Sequence, residues 1–229
     1  MVDATGKAGG KHENPFRTAL SAGRPLIGIW SMLNSENAVE GLGWAGFDWL
    51  LIDGEHSPVT LQDALRHMRT LAATPTIPIV RLAWNDRVLL KQYLDIGADA
   101  IMLPYIQTAQ EASEAVDAMC YPPRGHRGVA AMHRASRYGR LLDYCNTAND
   151  GLFLIVQVET VEAVENVADI AAIDGVDAVF FGPGDLSHNY GGEHEKPNPL
   201  DHPKIQDAMD KTAAACRKHN KVFGTRCNP

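Results

Sequence analysis

Four short stretches carry residues whose types and spacing could do chemistry. The first is Asp53-Gly54-Glu55-His56-Ser57-Pro58, directly after the apolar run Trp49-Leu50-Leu51-Ile52. A titratable cluster that ends such a run lies at a rim, where carboxylates set the tautomer and basicity of an imidazole beside them. His56 therefore reads as a proton-transfer group, against the plainer reading of a solvated loop histidine. The second is Arg81, closing Ile77-Pro78-Ile79-Val80. A guanidinium there is costly unless it meets an anion, either a protein carboxylate or a substrate carboxylate or enolate. The third is Gln157-Val158-Glu159. Residues two apart on a strand share a face, so Gln157 and Glu159 point together into a dry interior, where Glu159 could ligate a cation. The fourth is Gly182-Pro183-Gly184-Asp185, after Phe180-Phe181. Its glycines let backbone N–H groups approach a carboxylate ligand, although the tetrapeptide alone is also a common turn. Glu159 and Asp185 close consecutive apolar runs. With the remaining positions left to water and substrate oxygens, they suit a hard octahedral cation, Mg²⁺ or Mn²⁺, with Co²⁺ and Zn²⁺ as second choices. No HxxxH pair or Cys/His cluster points to a structural zinc site.

The elements that must position these residues follow from an alternation of texture. Short apolar runs without a period of two end near Ser31, Asp53, Arg81, Gln107, Glu159, Gly182 and Cys227. Between them lie segments of helical period: 35–45, 61–72, 87–94, 109–119, 161–170 and 203–219. Asn14-Pro15 reads as the cap and first residue of one further short helix, closed by Gly23. Near-continuous apolar strands alternating with helices signal a parallel sheet covered on both faces. No GxGxxG follows the first run, which speaks against a dinucleotide-binding sheet. Polar residues instead collect at the ends of several different strands, the habit of a (β/α)₈ barrel. The expectation is an α/β TIM barrel over residues 14–229, with a loose polar tail over 1–13. Strand eight and the last helix are expected to be absent from the chain as given.

Composition narrows the classes. The 229 residues are 45% hydrophobic and 21% charged, which fits one large globular domain. A net charge of -7 is a poor match for nucleic acid or an anionic membrane. No apolar run reaches the roughly 18 residues of a membrane helix, and Met1 to Asn14 has no signal-like apolar core. A cytoplasmic enzyme is expected. Cys120, Cys145, Cys216 and Cys227 form no CxxC motif and read as reduced thiols.

The motifs then reach a resemblance. FDWLLIDGEHSP, QYLDIGAD, YPPRGHRGV, RASRYGR, LIVQVET and VFFGPGDLS occur in unbroken order between Asn14 and Tyr190. Together they resemble the HpcH/HpaI family of metal-dependent pyruvate aldolases, nearest to its 4-hydroxy-2-oxoheptanedioate and 2-keto-3-deoxy sugar acid aldolases. The resemblance implies a (β/α)₈ barrel assembled as a homohexamer whose subunits exchange their last helix. It implies Glu159 and Asp185 as metal ligands and Arg81 on the pyruvate carbonyl oxygen. His56 becomes the catalytic histidine, with Asp95 as its paired aspartate. Gln157 is implied as a pocket glutamine, Gly182, Pro183, Gly184 and Asp185 as the backbone holding the substrate carboxylate, and Trp30 as an aromatic near the pocket mouth. Gly184, Ala130 and His133 depart from the family pattern.

The implied reaction cleaves a 4-hydroxy-2-oxo acid to pyruvate and an aldehyde, reversibly, through a pyruvate enolate. A Schiff-base aldolase would need a lysine inside the barrel. No lysine lies between Lys91 and Lys196, so the fourth, fifth and sixth runs contain none. The alternatives are an oxaloacetate decarboxylase or citrate synthase-like enzyme using the same enolate, and a non-catalytic truncated subunit.

Overall fold

Every apolar run becomes a strand in the computed structural model, which describes residues 13–191 and 198–227. The strands are β1 (Gly28–Ser31), β2 (Trp49–Asp53), β3 (Ile77–Arg81), β4 (Ala100–Leu103), β5 (Phe153–Val158), β6 (Ala178–Phe181) and β7 (Val222–Thr225). The helices are α1 (Pro15–Leu20), α2 (Glu36–Gly43), α3 (Leu61–Leu71), α4 (Arg87–Asp95), α5 (Ala109–Met119), α6 (Tyr144–Thr147), α7 (Val161–Ala172), α8 (Pro183–Asn189) and α9 (Pro203–Lys218). The strands form one seven-stranded sheet ordered as in the chain, β1 to β7. A doubly wound sheet reverses its strand order at a switch point, and this order contains no reversal. The fold is α/β with parallel strands linked by helical crossovers. The expected tail falls almost wholly on residues 1–12, outside the described residues.

The chain forms two compact units. One comprises the described residues up to Ile101 together with Asp117–Phe153, and the other comprises Met102–Val116 and the described residues from Leu154 onward.

In the first unit β1, β2 and β3 pair in parallel, with Gly28 opposite Trp49 and Asp53 opposite Arg81. Gly28 is required there, because a Cβ would lie 1.9 Å from the Trp49 ring. Leu50, Leu51 and Ile52 are all fully buried, which is why no polar alternation marks this strand. Side-chain caps set the helix starts. The Asn14 side chain accepts from the Phe16 and Arg17 amides and donates to the Asp99 and Gly151 carbonyls. Thr60 and Asp63 form a reciprocal capping box on α3, and Asp86 caps α4.

In the second unit β5 pairs with β6 and β6 with β7, Val158 standing opposite Phe181. All six residues of β5 are buried. Thr160 caps α7 through the Ala163 amide, and α7 packs against α9. Among the described residues the four cysteines are free, and burial pushes the Cys216 thiol up to about 11. No helix among the described residues is long and apolar enough to cross a membrane.

Candidate active site

The end of β2 and the end of β3 build a charged cluster in the first unit. Arg81 is buried, and the Asp53 carboxylate grips it edge-on: Nε donates to Oδ1 at 2.9 Å and Nη2 to Oδ2 at 2.7 Å. Nη1 meets Glu55 Oε2 at 2.8 Å. The Trp30 ring lies over the guanidinium at 4.3 Å, closing one face by a cation–π contact. Both alternatives left open for Arg81 thus receive part of their answer: its anions in this chain are protein carboxylates. Burial would raise the Asp53 carboxyl, but its bonds to Arg81, the guanidinium charge and the Glu55 and His56 amides together hold it below the usual carboxylate range.

Local backbone explains the aim of these groups. The Gly54 amide donates to the Arg81 carbonyl at 2.8 Å, so close that a Cβ at Gly54 would stand 2.7 Å from that oxygen. Asp53 Oδ1 then accepts from the amides of Glu55 (3.0 Å) and His56 (3.4 Å), and Ser57 Oγ donates to the Asp53 carbonyl. This tight turn sends Glu55 back toward Arg81 and leaves His56 outward. The His56 side chain is 58% exposed, with Nε2 3.5 Å from Glu55 Oε1.

Asp95 sits at the end of α4. It accepts from Arg127 Nη2 at 2.7 Å and has His133 Nε2 at 3.8 Å. Arg127 is buried, with its guanidinium 4.4 Å over the Tyr121 ring. Burial holds the His133 imidazole below its ordinary value, against the pull of Asp95. Within the one chain, the carboxylate nearest His56 Nε2 is that of Glu55, and Asp95 is engaged by Arg127.

The second unit holds the other candidates. Gln157 and Glu159 are both buried and do share a face: Gln157 Nε2 donates to Glu159 Oε2 at 3.0 Å. The Tyr105 amide donates to Glu159 Oε1 at 2.8 Å. Tyr105 has φ of +54°, a left-handed conformation that costs a non-glycine residue energy, held here beside the buried carboxylate. Because Val158 pairs with Phe181, Glu159 and Gly182 leave adjacent strands together. A Cβ on Gly182 would lie 2.7 Å from Glu159 Cβ and 2.8 Å from Oε2, so only glycine leaves room for that carboxylate. Asp185 lies in the first turn of α8 and is exposed. A Cβ on Gly184 would meet nothing within 4 Å, so alanine would fit there.

These residues fit a hard divalent cation. Glu159 is a buried acid whose oxygens accept from the Tyr105 amide and the Gln157 side chain, and Asp185, in the first turn of α8, would offer a second oxygen ligand. Among the described residues no group of three or more His, Cys, Asp or Glu is placed to hold a metal, so any cation here would rest on few protein ligands and on substrate oxygens.

Sequence reasoning did not assign roles to Glu55 or Tyr105. Glu55 was visible as a carboxylate beside His56. Nothing in Pro104-Tyr105-Ile106 announces a left-handed backbone.

Comparison with known proteins identifies the family of the chain. The family model described as HpcH/HpaI aldolase/citrate lyase matches residues 26–226. A 4-hydroxy-2-oxo-heptane-1,7-dioate aldolase of Escherichia coli is 47% identical over 213 residues, covering 93% of this chain and 80% of the relative. An HpcH/HpaI aldolase/citrate lyase family protein of Burkholderia cenocepacia superposes with a TM-score of 0.84 at 39% identity, over 88% of this chain and 79% of that one. An HpcH/HpaI aldolase of Desulfitobacterium hafniense gives 0.82 at 30%, over 93% and 82%. The match runs from before β1 to past β7 and takes in the Asp53–Arg81 cluster as well as Glu159 and Asp185; the chain belongs to the HpcH/HpaI aldolase/citrate lyase family.

Proposed function

We propose that the chain is a metal-dependent aldolase that cleaves 4-hydroxy-2-oxo acids to pyruvate and an aldehyde, and forms them in reverse. The observation that carries this reading is Arg81, a buried guanidinium fixed in its plane by Asp53 and Glu55 and across its face by Trp30. A cation so immobilised needs little reorganisation when charge develops on a nearby oxygen, which is the requirement for stabilising an enolate. The family of the chain and the aldolase name of its Escherichia coli relative support the same reading.

In this mechanism Glu159 and Asp185 would hold a divalent cation, Mg²⁺ or Mn²⁺ by the hardness of their oxygens. When bound, it supplies Lewis-acid polarisation of the 2-oxo group. Gln157 steadies Glu159, and the backbone at Gly182–Asp185 receives the substrate carboxylate. His56 takes the proton of the 4-hydroxyl. The C3–C4 electron pair then moves onto the pyruvate fragment as the C4–O bond becomes a carbonyl, and Arg81 faces the oxygen on which negative charge collects. A proton delivered to C3 completes pyruvate. The chain is read as one (β/α)₈ barrel domain over 14–229 acting in the cytoplasm as a homo-oligomer, a hexamer by family.

The test is pyruvate release from a panel of 4-hydroxy-2-oxo acids, followed by lactate dehydrogenase coupling with and without exhaustive chelation. Activity that needs added Mg²⁺ or Mn²⁺ supports the reading. Activity that survives metal removal rejects it, and preferential turnover of oxaloacetate would favour the decarboxylase alternative.

A further inference from the structure

A second charged cavity lies in the first unit, where α4 gives way to β4. Its volume is about 370 Å³, and Gly97, Asp99, Arg134, Ala135, Arg137 and Tyr138 line it. Asp99 leads into β4, whereas Asp53 and Arg81 close β2 and β3, so the cavity opens at the strand entries and not at the ends that carry the catalytic candidates. Its wall is stitched to the end of α4. Arg134 Nη1 donates to the Ile96 carbonyl at 2.7 Å, and the Ala135 amide donates to the Asp95 carbonyl at 3.1 Å. A Cβ on Gly97 would stand 2.8 Å from Arg134 Nη1, so glycine, at φ of +90°, leaves the space that the guanidinium fills. We propose that this cavity binds a small organic dicarboxylate, one carboxylate on Arg134 and the other on Arg137. The site is separate from the aldolase reading and does not depend on it.

Charge and shape select that ligand. Two guanidiniums and one carboxylate, Asp99, line the cavity, and among the described residues neither guanidinium is ion-paired. Burial, and then the charge of Arg69 in the last turn of α3, hold the Arg134 guanidinium below its ordinary value against Asp99 and Tyr138. A cation crowded by another cation gains more from an incoming anion than a solvated one does. Beyond the Ile96 carbonyl, the N–H groups of Arg134 have no acceptor among the described residues, and the Arg137 side chain has none. A guanidinium presents paired donors that match the edge of a carboxylate. The volume is larger than one inorganic anion fills, and Ala135 and the Tyr138 ring offer apolar wall to a short carbon spacer. The backbone holds this arrangement at a cost. Arg137 and Tyr138 have φ of +51° and +54°, successive left-handed residues that are not glycine. Buried Ser136 braces them: its Oγ donates to the Ala131 carbonyl at 3.0 Å and accepts from the Gly139 amide at 3.2 Å. The Arg137 and Tyr138 amides donate to the Arg134 and His133 carbonyls, both at 2.8 Å. The turn thereby fixes Arg137 and Tyr138 side by side at the cavity wall.

The experiment is calorimetric titration of the metal-loaded chain with succinate, glutarate and adipate in turn. Inorganic phosphate is the comparison, and saturating pyruvate is present to occupy the aldolase site. At least one dicarboxylate is expected to bind once per chain, more tightly than phosphate and more weakly as ionic strength rises. Arg137→Gln is the lead variant, because the residue is exposed and its side chain bonds to nothing in the fold. It is expected to weaken dicarboxylate binding at least about tenfold, the scale of one charge-assisted hydrogen bond, with Mn²⁺ affinity and pyruvate release unchanged. Arg134→Gln is expected to weaken it as much; should that variant not fold, Arg137→Gln decides alone. No binding by any of the three dicarboxylates at about 10 mM overturns the proposal. Phosphate binding as tight as theirs overturns it too, as does binding that Arg137→Gln retains in full. A variant that loses Mn²⁺ affinity together with the dicarboxylate would put the ligand at the catalytic metal and equally overturn it. Failure of wild type to release pyruvate would overturn the aldolase reading alone, since Arg137→Gln still decides the cavity.

Discussion

Asp53 and Arg81 stand opposite each other in the β2/β3 register, and Arg81 donates two hydrogen bonds, of 2.9 and 2.7 Å, to the fully buried Asp53 carboxylate. A buried pair of this kind is worth little against a well-packed apolar pair but costs dearly when one partner is removed. Asp53→Asn is expected to lower unfolding free energy by about 3 kcal/mol, because it leaves the Arg81 charge half-compensated. The sign with pH follows from the depressed Asp53 carboxyl. Its contribution is complete above the unfolded carboxylate value of about 3.9 and is lost as pH falls through the lower folded value. Urea titrations of wild type and variant at pH 7 and pH 3 check this: the gap between them should narrow at the acid end.

Replacement of Arg81 separates position from charge. Arg81→Ala strands both Asp53 and Glu55, so fold and activity fall together. Arg81→Lys keeps a charge but cannot span the two Asp53 oxygens and Glu55 with one planar fork, nor stack on Trp30 in the same way. We expect Arg81→Lys to lower kcat/KM by roughly 10²–10³ while thermal melting shows a folded chain. A lysine variant with wild-type rate would remove Arg81 from the chemistry.

All seven strands were legible as apolar runs because buried parallel strands carry no polar alternation. Most helix starts were legible too, from the onset of helical period and, at Asn14-Pro15, from a cap; the structure adds the side-chain caps Thr60 with Asp63 and Asp86. Helix α8 was not. Gly182-Pro183-Gly184-Asp185 reads locally as a turn, yet proline at the first helical position and an acid in the first turn are also a helix start, and the structure takes that option. The Glu55–Arg81 and Tyr105–Glu159 contacts were out of reach for a different reason. They join residues 26 and 54 positions apart, and no local period reports which strand end faces which.

Glu159 and Asp185 should fail differently when neutralised. Glu159 is buried between two donors, the Gln157 amide and the Tyr105 backbone N–H. Glu159→Gln turns an acceptor into a donor facing donors, and is expected to abolish Mn²⁺ binding with a loss of stability. Asp185 is exposed on α8. Asp185→Asn is expected to weaken Mn²⁺ affinity by at least about tenfold without loss of stability, with activity partly restored by excess metal. Calorimetric or electron paramagnetic titration with Mn²⁺ checks both, and unchanged affinity in the aspartate variant would remove Asp185 from the ligand set.

His67 supplies a pH dependence away from the chemistry. It lies in α3 at 1% exposure, among Ala64, Met68 and Leu71, and among the described residues nothing hydrogen-bonds its Nδ1. Burial holds its imidazole below the ordinary value, outweighing the opposing charges of Asp63 and Glu36. The unfolded chain therefore binds a proton at this position that the folded chain refuses. Stability is complete above the unfolded histidine value of about 6.5 and declines as pH falls through the lower folded value, with His133 adding to the same slope for the same reason. His67→Leu removes the refused proton and fills the site with carbon. Between pH 7.5 and 5.5 the variant should lose about 1 kcal/mol less unfolding free energy than wild type, read by urea titration at each pH. Parallel stability curves for the two proteins would mean that His67 is protonated inside the fold at a cost no greater than in water.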